Sequence, residues 1–151
     1  MESIDNARDF ISFLLPAEVN EHLDLGTLSH AKESFVNKNL NEIISDVVFT
    51  CQLQNSEEEL YVSILIEHKS YKDKFSSFQI LQYLSAGYKI QIINRKNREN
   101  LKLIIPVLYY HNKDNWEYQE VSSFFEHVPE VLRRYVPRLN TLFINLLERS
   151  D

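Results

Sequence analysis

A chain of 151 residues is long enough for one domain with its own hydrophobic core. Apolar residues make up 44% and charged residues 25%, an ordinary balance for a globular protein, and two glycines with no GxGxxG or GxxxxGK all but exclude a glycine-rich nucleotide loop. The net charge of −6 conceals a segregation: residues 1–67 carry 3 Lys+Arg against 13 Asp+Glu, residues 68–102 carry 8 against 2, and residues 103–151 carry 5 against 7.

The apolar runs are too short to span a bilayer. The N-terminal "MESIDNARDF" has neither a basic start nor an apolar core, so no secretory signal is expected. A single cysteine, Cys51, cannot form an internal disulfide or a thiolate zinc site, and a reducing cytoplasmic setting is the natural expectation.

In chain order, "IDNARDFISFLL" (4–15) places Ile4, Ala7, Phe10, Ile11, Leu14 and Leu15 at helical spacing, with Ser3 to cap the start and Pro16 after the end. A short second helix is expected over 17–23, and an edge strand can lie within the ambiguous 27–36. Residues 46–53 read as a strand. So does "LYVSILIE" (60–67), a nearly continuous apolar run of the kind covered on both faces. The polar link "QNSEEE" permits a hairpin between them. Over 72–93 the period changes to that of a long helix through Phe75, Phe78, Leu81, Tyr83, Leu84 and Tyr88, with Gly87 a weak point near its end. "LKLIIPVLYYH" (101–111) is another buried run, whose Pro106 lacks a ladder donor and belongs at an edge, a strand end or a bulge. Residues 122–136 and 137–151 read as short helices broken by Pro129 and Pro137. No internal repeat or linker is visible.

Charged groups at the strand ends carry the chemistry. Side chains alternate along a strand, so Glu67 and Lys69 point to one face and His68 away from it. A hairpin sets the start of 46–53 beside the end of 60–69 and brings Asp46 to the same place. Two ionised carboxylates at one sheet edge repel; a divalent cation with a taste for hard oxygen, Mg²⁺ or Mn²⁺, removes that penalty. A neighbouring lysine can orient water and offset charge developing on a phosphate. Each group also has a plainer reading. Asp46 can be a turn or capping residue, and Glu67 with Lys69 an exposed ion pair. His68 and His111 suit structural positions better than ligand positions, and Tyr109, Tyr110 and Trp116 suit packing better than base stacking. The basic block after Glu67 is either a solvated helix face or a surface for phosphates.

The pattern D–(hairpin)–ExK followed by a helix resembles the PD-(D/E)XK nuclease superfamily. "ARDFISFLLP", "SFVNKNLNEIISDVVF", "LIEHKS", "FQILQYL" and "IIPVLYYHN" resemble more closely the recombination-promoting nuclease family, also called the YhgA-like transposase family, over about residues 4–115. The resemblance implies an α/β fold with a restriction-endonuclease-like αβββαβ core, a central mixed sheet flanked by helices, in a single nuclease-like domain over 1–151 that lacks the family's extreme N- and C-terminal segments. It implies a Mg²⁺-dependent (or Mn²⁺-dependent) endodeoxyribonuclease acting on double-stranded DNA in recombination or mobile-element movement. Asp46, Glu67 and Lys69 match its catalytic positions, although the third is often glutamine in this family. Asp46, Glu67 and the backbone carbonyl of His68 match the metal ligands. Glu42, Gln79 and Gln82 match accessory positions, and Ser45 stands where the superfamily name has proline. Lys72, Lys74 and Lys89 are candidates for contacts to the DNA backbone. Double-strand cleavage needs two sites or two visits, which a homodimer would satisfy. The competing expectations are a non-catalytic fragment that binds DNA or a longer relative, and an interaction domain in which the motif is chance.

Overall fold

The computed structural model describes residues 3–41, 43–67, 74–96, 99–110 and 118–145. Helix α1 spans Ile4–Leu14, and the Ser3 hydroxyl accepts from the Asn6 backbone N–H at 3.1 Å, as a capping serine should. Its stripe of Ala7, Ile11 and Leu14 is buried. Pro16 follows, then the single turn α2, Ala17–Asn20, whose Asn20 amide donates back to the Ser12 and Leu15 carbonyls.

Three antiparallel strands come next: β1 Leu23–His30, β2 Ile44–Leu53 and β3 Glu59–Glu67. The β1 register shifts between Asp24 and Ser29, where the Asp24 carboxylate accepts from the Gly26 N–H. The β2–β3 turn holds Asn55 at φ 56°, a left-handed conformation that asparagine tolerates. Helix α3, Ser76–Asn94, then crosses the sheet to β4, Ile104–Tyr110, which runs parallel to β3. Two short 3₁₀ turns, Val121–Phe125 and Glu130–Tyr135, lead to β5, Leu142–Asn145, parallel to β4. The sheet order is β1-β2-β3-β4-β5. This is the expected αβββαβ core with one further strand. None of the described helices is long and apolar enough to cross a membrane.

β5 corrects the helical reading of the C-terminal segment. Four apolar-rich residues are too few to reveal a period, and their state is decided by the β4 edge they meet. Pro106 falls inside β4, opposite Ser63, but β5 pairs only from Val107 onward, so the ladder on that side has not yet begun. Gly87 is no weak point. A Cβ there would lie 2.7 Å from Ile104 Cδ1 and 3.2 Å from Phe35 Cγ, so the glycine lets α3 press against β4 and the β1–β2 connection. The same end of the helix is tied down by Tyr88, whose hydroxyl accepts from the Ile104 N–H, and by Gln91, whose amide exchanges two bonds with the Lys102 backbone.

Each face of the sheet has its own core. On one, Ala7, Ile11 and Leu14 of α1 pack with Phe49, Cys51, Val62, Ile64 and Val107. On the other, Ile80, Tyr83 and Leu84 of α3 pack with Ile44, Val48, Leu65 and Leu108. β3 contributes to both, which accounts for its unbroken apolar run.

Candidate active site

Alternation decides which side chains can meet. Ile44 pairs with Glu67 and Asp46 with Leu65, so Ile44, Asp46, Leu65 and Glu67 share the α3 face. Asp46 and Glu67 are diagonal neighbours there, within reach of long side chains. Cys51, an odd number of residues from Asp46, is buried on the opposite face, where burial pushes its thiol pKa up.

Asp46 lies inside β2, so it is neither a turn residue nor a cap of its own strand. Its carboxylate collects donors from two other segments. Oδ1 accepts from the Ser34 hydroxyl at 2.6 Å, and Oδ2 accepts from the Phe35 N–H at 2.8 Å and the Tyr83 hydroxyl at 2.7 Å. These three donors fix the orientation of the carboxylate from two segments outside its own hairpin. Ser63 completes the chain, its Oγ 2.9 Å from Tyr83 Oη. Burial holds the Tyr83 phenol well above the usual tyrosine range, so it remains a protonated donor. Glu67 is half-buried, and its Oε1 accepts from the Ser76 hydroxyl at 2.9 Å, at the first turn of α3. Helix α3 therefore aims one hydroxyl at each carboxylate.

Tyr118 borders this region, stacked on Phe143 with ring centroids 5.3 Å apart. Burial pushes its phenol up to about 12, and the nearby Glu120 and Glu67 carboxylates add to the shift. Burial also raises the Glu120 carboxyl. Among the described residues, no three His, Cys, Asp or Glu side chains converge to hold a metal.

Of the other residues singled out from the sequence, Gln79 is half-buried one helical turn before Tyr83. Gln82 and Lys89 are exposed and line a groove with Asn37 and Asn39. Lys74 is exposed just before α3. Glu42, His68, Lys69, Lys72, His111 and Trp116 lie outside the described residues. Sequence reasoning missed Ser34, Ser63, Tyr83 and Ser76 as site residues. The legible signal was Tyr83: a tyrosine on the buried stripe of a helix needs a partner for its hydroxyl.

The family model described as "Putative transposase, YhgA-like" matches residues 1–151. The chain belongs to that family. Curated relatives of this YhgA-like chain include recombination-promoting nuclease RpnD of Escherichia coli O157:H7, 35% identical over 107 residues, covering 71% of this chain and 40% of RpnD. Recombination-promoting nuclease RpnA of E. coli K12 is 33% identical over 115 residues, covering 71% and 35%. A third relative, 30% identical over 109 residues and covering 72% and 35%, is named an inactive recombination-promoting nuclease-like protein, RpnE, also of E. coli K12. The aligned part is well under half the length of these relatives. No solved structure matches the chain.

Proposed function

We propose that this chain is a metal-dependent endonuclease that hydrolyses phosphodiester bonds of double-stranded DNA in recombination or the movement of mobile elements. The observation that carries the reading is the shared face: two carboxylates from adjacent antiparallel strands, each held by a hydroxyl of α3. The nuclease names of the relatives support it.

The donor set fits Mg²⁺ or Mn²⁺. All its atoms are hard oxygens. A carboxylate offers about four acceptor positions, and Asp46 uses three, so one ligand bond can be added without losing a donor. Asp46, Glu67 and the carbonyl of His68 would hold the cation, with waters completing the shell. A bound cation supplies Lewis acidity toward water and a phosphoryl oxygen. The remaining work falls to the chain. Tyr83 and Ser76 fix the carboxylates before substrate arrives, the preorganisation that catalysis by electrostatics requires. Lys69 orients the attacking water and offsets charge that grows in the transition state. Lys72, Lys74 and Lys89 hold the DNA backbone, so binding weakens as salt rises. The setting is the cytoplasm, and two chains acting together would cut both strands.

A second reading, a non-catalytic fragment that binds DNA or a partner, is favoured by the relatives named inactive. Supercoiled plasmid separates the two. With Mg²⁺ or Mn²⁺ the wild-type chain should nick or linearise it, EDTA should stop the reaction, and Glu67→Ala should abolish it. DNA binding without metal-dependent cleavage would establish the second reading.

A further inference from the structure

Residues 103–151 carry more acids than bases, yet their positive charge is gathered in one place. Arg133, Arg134 and Arg138 line a single groove along the second 3₁₀ turn. They are three of the five arginines among the described residues, and residues 118–145 contain no lysine. Arg133 is held: its Nε stands 3.5 Å from a Glu130 carboxylate oxygen, and a terminal nitrogen donates to the Glu126 carbonyl at 3.4 Å. Arg134 and Arg138 are exposed, and among the described residues neither forms an ion pair.

Neither solubility nor the core accounts for these guanidinium groups. The chain has 22 acids against 16 Lys+Arg, so each further arginine moves its net charge toward zero, where association is favoured. All three arginines lie outside both hydrophobic cores. A guanidinium is always charged and presents a planar fork of donors, which suits it to phosphate oxygens. The groove is also tied to the candidate site. Glu126, which receives Arg133, lies two residues past Phe124, and the Phe124 ring stacks on Phe75 with centroids 5.0 Å apart. Phe75 directly precedes Ser76, whose hydroxyl holds Glu67. Val121, fully buried, anchors the same segment.

We propose that Arg133, Arg134 and Arg138 form a phosphate-binding surface for the backbone of double-stranded DNA, outside the stretch that meets the carboxylates. This inference rests on the nuclease reading and extends its DNA contacts from the lysines around α3 to the C-terminal part of the chain. A chain that is acidic overall repels a polyanion and can hold one only where its cations are gathered. A duplex carries one charge per about 1.7 Å of axis, so a backbone crossing the groove meets several guanidinium groups at once. Phosphate contacts set position and carry no base information, so the surface adds affinity and register without a sequence preference. An acidic peptide has the same sign of charge, but a duplex satisfies the groove and the adjoining carboxylate site together.

The test is fluorescence anisotropy with a fluorescein-labelled blunt hairpin duplex in EDTA, repeated over a series of salt concentrations. The double variant Arg134→Gln/Arg138→Gln should weaken binding roughly ten- to a hundred-fold at low salt and lower the slope of log affinity against log salt by about two, one for each lost phosphate contact. Arg134→Lys/Arg138→Lys keeps the charge and loses the fork, so it should retain the slope and part of the affinity. Arg8→Gln removes the same charge from α1, on the other face of the sheet, and should leave the slope unchanged. An unchanged slope in the glutamine variant, an equal loss in Arg8→Gln, or no duplex binding by the wild type would overturn the proposal. Polyglutamate that displaces the labelled duplex as well as unlabelled duplex does would assign the groove to acidic peptides and also overturn it. The nuclease reading fails separately: arginine-dependent duplex affinity in a chain that never cleaves plasmid keeps the surface and discards the nuclease. Glu67-dependent cleavage with arginine-independent binding does the reverse.

Discussion

The two faces of β2 and β3 have opposite characters. Toward α1 the strands bury Phe49, Cys51, Val62 and Ile64 in an apolar layer. Toward α3 the same strands carry Ser63, fully buried, and Asp46 and Glu67, half-buried, among Ile44, Val48 and Leu65. The first face stabilises the fold by area removed from water, at about 25 cal/mol per Å². The second spends part of its area on polar groups that are tolerable only while their hydrogen bonds are made. Period-two alternation lets one hairpin do both: a neighbour in sequence changes the side of the sheet and with it the role.

The sharpest way to break the comparison is at the carboxylates. Glu67→Ala should reduce metal-dependent plasmid cleavage by at least about a hundred- to a thousand-fold, the scale of a lost electrostatic contributor. Its stability should fall by about 0.5–1.5 kcal/mol, the worth of the one bond it accepts from Ser76. Asp46→Ala should lose cleavage to a similar degree and also about 2–4 kcal/mol of stability, because three donors lose one acceptor. Equal stability in the two variants would show that the Asp46 network does not hold the fold.

On the apolar face the expectation inverts. Phe49→Ala should cost about 3–5 kcal/mol in urea unfolding yet leave the cleavage rate of the folded fraction unchanged. A rate loss at temperatures where the variant remains folded would mean that the faces are not separable.

Tyr83→Phe tests the polar face without emptying it. It should cost about 1–2 kcal/mol at neutral pH. A second signature lies at high pH. The folded-state pKa is raised above the ordinary value of 10, so the folded chain retains a proton that the unfolded chain releases. This contribution is complete below pH 10 and is lost as pH rises above it, at up to about 1.4 kcal/mol per pH unit. Urea titrations on either side of pH 10 should show the wild type losing stability faster than Tyr83→Phe; parallel losses would place the phenol in water. The smallest effect is expected at Ser76→Ala, which removes one hydroxyl from Glu67: about 0.5–1.5 kcal/mol in stability and a few-fold in cleavage rate.

Much of this was legible in the chain itself. The capping serine and apolar stripe of α1, the double-sided run of β3 and the hairpin register that unites Asp46 with Glu67 all follow from periods and turn chemistry. What escaped depends on partners remote in sequence. Leu142–Asn145 becomes a strand because β4 offers an edge, and Gly87 matters because Ile104 and Phe35 lie against it. Asp46 reads as a charge in need of a cation until Ser34, Phe35 and Tyr83 are seen around it. Those donors lie 12, 11 and 37 positions away, and no local pattern announces them.

That spacing also has a consequence in time. As the chain leaves the ribosome, Asp46 and Glu67 emerge well before Tyr83, and Phe124 later still. The hydroxyl that orients Asp46 is in place only once α3 has docked across the strands. A nascent chain that stalls after the hairpin carries both acids but not that orienting hydroxyl, so the order of synthesis leaves Asp46 without its α3 donor until the helix is complete.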